Sequence, residues 1–177
     1  MRRVAVLLAA GLLALIVQSA AVLVVPYPFC PDLGLLVVVA LGLHWAPLPS
    51  GFAMAAALGY ATDVLSSSLL GQHALLRLLT FAAARVTGRQ IHLRGALPLA
   101  VFAAGLTVAY AAALQAVLAF FTSSSPEVGA VGRTLVHAVV NALFAPPVAA
   151  LVEWLAAWSG DDDPSRRTVR LEARGAR

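Results

Sequence analysis

The sequence predicts an all-α protein: one bundle of six transmembrane helices with both termini cytoplasmic. Three observations carry that prediction. Of the 177 residues 61% are hydrophobic and only 11% charged, whereas a small soluble domain needs a surface with about 25–35% charged residues. Lipid must therefore solvate most of the exterior. Apolar runs recur along the chain near the length of about 20 residues that crosses roughly 30 Å of hydrocarbon. The arginines, finally, gather at the ends of those runs and on one side of the bundle.

Taken in order, the first span is expected at residues 4–25. Met1-Arg2-Arg3 ahead of an apolar run resembles a signal peptide, and Gln18-Ser19-Ala20-Ala21 resembles a cleavage region. The run nevertheless outlasts the usual h-region of about 7–15 residues, so it reads as a retained helix. Pro26-Tyr27-Pro28-Phe29 closes it with extended backbone suited to an interface. A short second span follows at 33–45, and Pro47 and Pro49 break the chain before a third at 48–65. Ser66-Ser67-Ser68 makes a small polar turn. The fourth span, 69–86, carries Arg77 inside it, and a polar connector holds Arg85, Arg89, His92 and Arg94. The fifth is expected at 96–121, ended by the polar stretch 122–127. The sixth, 135–158, contains Pro146-Pro147, which must kink or break it. The bundle thus occupies residues 1–158. Residues 159–177 read as a polar, disordered cytoplasmic tail mixing Asp161-Asp162-Asp163 with five arginines, its basic end near anionic lipid.

Charge fixes the topology. With six spans and a cytoplasmic N-terminus, Arg2, Arg3, Arg85, Arg89, Arg94 and the tail arginines lie inside, and Arg133 lies outside. Merging the short second and third spans would move the 85–94 connector outside and lose this positive-inside bias, so they are kept separate. Such placement also argues against a nucleic-acid partner, despite a pI near 10.2: the arginines mark membrane interfaces and contact lipid headgroups rather than lining a phosphate groove. Cys30 is the single cysteine, which excludes an intrachain disulfide or a cysteine-based metal site.

Ionisable groups within a membrane are costly and become the first candidates for function. Asp63 ends the third span. Behind it Gly51, Ala55 and Gly59 recur every four residues, a small-residue stripe that lets helices approach closely. Arg77 lies about two turns into the next helix, so Asp63–Arg77 is a candidate ion pair between neighbours. Two readings stand: an outward-facing polar site built from Asp63, Gly71, His73 and Arg77, or a structural pair fixing helix register. His137 and Asn141, four apart, share a face of the sixth span. They either line a cavity or hydrogen-bond between helices. The four histidines show no metal-ligand spacing, no nucleophile elbow or phosphate-cradling glycine motif occurs, and carboxylates do not form a chain along the spans. No enzymatic activity, cofactor or metal is expected.

The segment Gly59-Tyr60-Ala61-Thr62-Asp63-Val64-Leu65 through Leu70-Gly71-Gln72-His73-Ala74-Leu75 resembles the MreD family of rod shape-determining proteins. That family pattern has a glycine-rich third helix ending in Asp-Leu/Val-Leu, a small polar turn, then Leu-Gly and a further helix. Pro31-Asp32-Leu33 and the stretch from Asn141 to Pro146-Pro147 agree with it, and the resemblance extends over residues 4–158. It implies a multi-pass protein of the bacterial inner membrane that serves cell elongation and peptidoglycan synthesis. Its partner would be an MreC-like single-span protein, and through it MreB, RodA and a class B penicillin-binding protein. The Gly51/Ala55/Gly59 face is a candidate partner surface, or is used up inside the bundle. The family's fold is similar to that of the substrate-binding subunits of energy-coupling-factor (ECF) transporters. By that analogy Asp63, Gly71, His73 and Arg77 surround the outer mouth of a pocket. The alternative function is accordingly such a small-molecule subunit.

Overall fold

The computed structural model describes residues 2–44, 48–66, 69–90, 95–122 and 129–160. Within them are six helices and no strand: α1 (Arg2–Ala21), α2 (Leu33–His44), α3 (Leu48–Ser66), α4 (Gln72–Gln90), α5 (Ala96–Thr122) and α6 (Ala130–Gly160). The side chains of His44 and Thr122, the segments holding Pro47, Ser67–Ser68, His92 and Arg94, the 123–128 loop and the tail beyond Gly160 lie outside the described residues.

Three of these helices, α1, α5 and α6, are long and apolar enough to cross a membrane, and α2 is a shorter apolar helix. Contacts between helices run α1–α3–α4–α5–α6 and back to α1, a closed ring. Inside it stands α2, against α1, α3, α4 and α6. Residues 34–42 are all buried, which explains why α2 is apolar on every side. Its 12 residues are sheltered by longer neighbours.

Glycines set the closest approaches. A side chain at Gly59 would strike the α4 backbone at His73 and Ala74, so α3 and α4 pack nearly backbone to backbone. Gly42 of α2 abuts Ala84 and the Phe81 carbonyl of α4, and Gly88 of α4 abuts Leu43. The Gly51/Ala55/Gly59 stripe is therefore buried within the bundle, and Met54 and Leu58 beside it are buried with it.

Several boundaries move from their expected positions. Helix α1 ends at Ala21, and residues 22–25 form a turn rather than a final helical turn. Helix α4 begins at Gln72, three residues later than expected, because Asp63 caps it there. Helix α6 begins at Ala130 and runs on through Pro146 and Pro147 without a break. The start of α1 and the end of α6 meet at one end of the bundle: the Arg2 guanidinium lies 5.2 Å from the Trp158 ring.

Polarity is turned outside in. Leu75, Leu79 and Val86 of α4 and Phe52, Tyr60 and Val64 of α3 are exposed, as are Leu143 and Trp154 of α6. Asp63, Arg77 and Asn141 are wholly buried. Water-soluble proteins show the reverse; ionisable groups facing a bundle interior are the pattern of a membrane protein. The same inversion places polar residues of α3 and α4 inward: Asp63 of α3 and Gln72, Arg77 and Thr80 of α4 are all buried.

Candidate functional site

At the end of the bundle away from Arg2 and Trp158, all six helices are tied into one polar hub. It begins at Asp32. The α1–α2 connection leaves this residue as the N-cap of α2, its Oδ1 accepting from the Leu35 amide at 2.9 Å. The Asp32 amide donates to Asn141 Oδ1 of α6 at 2.9 Å. Arg77 Nη2 of α4 reaches the same Asp32 Oδ1 at 3.2 Å, and its Nη1 donates to the Leu58 carbonyl of α3 at 3.1 Å. Gly34 lies directly under the guanidinium, where any side chain would collide with Nη1 and Nη2. From α1, Gln18 Oε1 accepts the Gly34 amide at 3.3 Å. Asn141 Nδ2 donates to Thr107 Oγ1 of α5 at 3.1 Å, and Thr107 donates onward to the Ala103 carbonyl.

Arg77 thus pairs with Asp32, not with Asp63 as the sequence suggests. The reason is local. Chain reversal at Gly71, with φ +97°, swings the start of α4 over the end of α3. The Asp63 carboxylate then meets orphan amides of the first turn: Gly71 at 2.9 Å, His73 at 2.9 Å and Ala74 at 3.3 Å. An anion there also opposes the helix dipole. About one and a half turns into α4, Arg77 faces α2 instead. Asp63, Gly71, His73 and Arg77 are still brought together around one helix start, with Asp63 as cap, Gly71 as turn and Arg77 as the link to α2.

His73 turns toward α5, where its Nδ1 lies 2.6 Å from the Tyr110 hydroxyl and the two rings are nearly parallel at 11°. His137 and Asn141 share a face and contact each other at 3.4 Å. His137 also approaches the Pro28 carbonyl at 3.3 Å and the Tyr27 ring at 5.1 Å. On this face Asn141 bonds to Thr107 of α5, and His137 borders a cavity.

The cavity, about 230 Å³, lies between α5 and the wall made by α1, α2, α4 and α6. Gln18, Asp32, His73, Tyr110 and His137 supply its polar lining. Cys30 borders it from the α1–α2 connection, and burial, followed by the Asp32 charge, pushes the thiol above its usual range. A second gap of about 90 Å³ between α1, α2 and α6 is lined by apolar side chains alone. Among the described residues no three His, Cys, Asp or Glu gather as metal ligands.

Asp32, which entered the sequence reading only through the family resemblance, and Gln18, Thr107 and Tyr110 are hub residues that it did not propose as a site. An aspartate opening an apolar run after a proline is a cap signal, and a glutamine inside a span is a marked residue, so the first two were findable. Thr107 and Tyr110 carry no such mark.

Residues 1–155 match the family model described as rod shape-determining protein MreD. No curated protein and no solved structure matches the chain.

Proposed function

Because the chain belongs to the MreD family, we propose that it is a non-enzymatic, multi-pass component of the cell-elongation complex in the bacterial inner membrane. In this reading it binds an MreC-like single-span protein, helps maintain cell shape and organises peptidoglycan synthesis. The match over residues 1–155 carries the proposal. Two features support the membrane plan of six crossings with cytoplasmic termini. The start of α1 and the end of α6 meet at one end of the bundle, as an even number of crossings requires. The arginines Arg85 and Arg89 belong to that same end by their place late in α4, in keeping with the positive-inside rule. The hub supports a scaffold role, since it ties all six helices to one another.

The partner must use an outer face, because the Gly51/Ala55/Gly59 stripe is consumed by packing inside the bundle. Co-purification in mild detergent tests the reading. Recovery of an MreC-like single-span protein with the wild-type chain is the expected result. An ATPase-coupled assembly with no such partner would sink the scaffold and favour the alternative, a substrate-binding subunit of an ECF-type transporter. One observation favours that alternative, the cavity of about 230 Å³.

A further inference from the structure

The cavity exists because α5 packs on α4 and α6 while α2 is contacted mainly by the other helices. Its 230 Å³ falls just below the range of about 300–1,000 Å³ for pockets that take drug-sized ligands. A molecule smaller than these therefore fits.

The lining specifies what kind. Both bonds to the Asp32 carboxylate end on Oδ1, and Oδ2 has no partner among the described residues. The Asp32 side chain is 18% exposed, and Asp32 lines the cavity. Gln18 uses its Oε1 on the Gly34 amide, leaving its –NH2 as a donor at the same wall. Asp32 Oδ2 and the Gln18 –NH2 thus set an acceptor beside a donor on this wall, while His73 and Tyr110 satisfy each other at 2.6 Å. Around them Val22, Leu35 and Leu114 are apolar.

Charge decides the rest. Asp32, Asp63 and Arg77 sum formally to −1. The N-termini of α2 and α4, capped by the two aspartates, each add about +0.5. The hub is close to neutral, so an ion of either sign would bring uncompensated charge into a partly desolvated site.

We propose that this cavity is a binding site for a small uncharged amphiphile. Its hydroxyl or carboxamide head meets Asp32 Oδ2 and the Gln18 amide, and its apolar body lies against Val22, Leu35 and Leu114. The site is independent of partner binding and serves a scaffold or a transporter alike.

Cys30 is the single cysteine and lines the same cavity, so its alkylation by N-ethylmaleimide reports occupancy. The experiment uses the full chain in lipid nanodiscs with four probes of equal chain length. Hexanamide and 1-hexanol are expected to slow alkylation saturably. Hexylammonium and hexanoate are expected to leave the rate unchanged. Ala111→Trp, which fills the cavity, should abolish the response to hexanamide. Gln18→Leu should raise the hexanamide midpoint about fivefold, as loss of one hydrogen bond implies. Equal slowing by charged and uncharged probes, no slowing by any, or protection persisting in Ala111→Trp would overturn the site. Loss of the single-span partner in co-purification leaves these rates untouched, so the two proposals fail separately.

Discussion

At the scale of single residues, Arg77 concentrates the energetics. Its guanidinium is fully buried, and desolvating such an ion costs several kcal/mol before any pairing. Asp32 and the Leu58 carbonyl offset that cost. Asp32→Asn keeps an oxygen to cap α2 but strands the cation. We expect it to destabilise the protein by about 3–5 kcal/mol. Arg77→Met should cost less, because the Asp32 left behind borders a cavity that water can enter. The double variant should be more stable than Asp32→Asn alone, since removing both charges leaves none unpaired. Thermal unfolding of the four proteins in one detergent gives the order, and strictly additive losses would contradict it. Cys30 allows a second test. Its thiol is pushed up by burial and by Asp32, so less thiolate is present at a given pH than in the unfolded chain. The alkylation profile should therefore lie on the alkaline side of that of the denatured protein, and Asp32→Asn should move it back toward neutrality.

At the scale of helices, the hairpin of α3 and α4 depends on two devices of different kinds. One is steric. Gly59→Ala places a methyl group against the α4 backbone, and forcing the helices apart should cost about 1–3 kcal/mol. Gly105→Ala is the control, because a side chain there meets nothing within 4 Å. It should be neutral or stabilising by up to about 1 kcal/mol. The other device is the cap. Asp63→Ala leaves the amides of Gly71, His73 and Ala74 without their acceptor and should cost about 1–2 kcal/mol. Asp63→Asn, which retains one acceptor oxygen, should lose less. Unfolding in detergent measures both, and equal losses for Gly59→Ala and Gly105→Ala would refute the close contact.

At the scale of the whole molecule, the ring around α2 fixes which ends lie together. On a Cys30→Ala background, Leu70→Cys lies at the end that carries the cavity. Arg2→Cys and Arg89→Cys lie at the opposite one. With a membrane-impermeant maleimide on intact cells, Leu70→Cys should label and the other two should label only after permeabilisation. Labelling of Arg2→Cys and Leu70→Cys from the same side would refute the six-crossing topology. The same ring explains why the cavity sits where it does. Five helices close around one, but α5 leans on α4 and α6, and the space it leaves beside α2 is lined by the hub.

The sequence by itself determined the class of the molecule and most of its helices. Composition and apolar run length report the surrounding solvent directly, and these are local quantities. It also marked Asp63, Arg77 and Asn141, because a buried polar group in an apolar run is conspicuous wherever it ends up. The small-residue stripe of α3 was equally legible, though not which partner it met. Only the tertiary structure decided the pairing of Arg77 with Asp32, since residues 45 apart meet through the position of α2 at the centre of the ring. Spacing along the chain favoured Asp63, but capping claimed its carboxylate first. Tyr110 and Thr107 entered the hub by the same route. A side chain that is ordinary in its own helix acquires a role only when another helix brings it a partner, and helix order around a ring is not written in any local pattern.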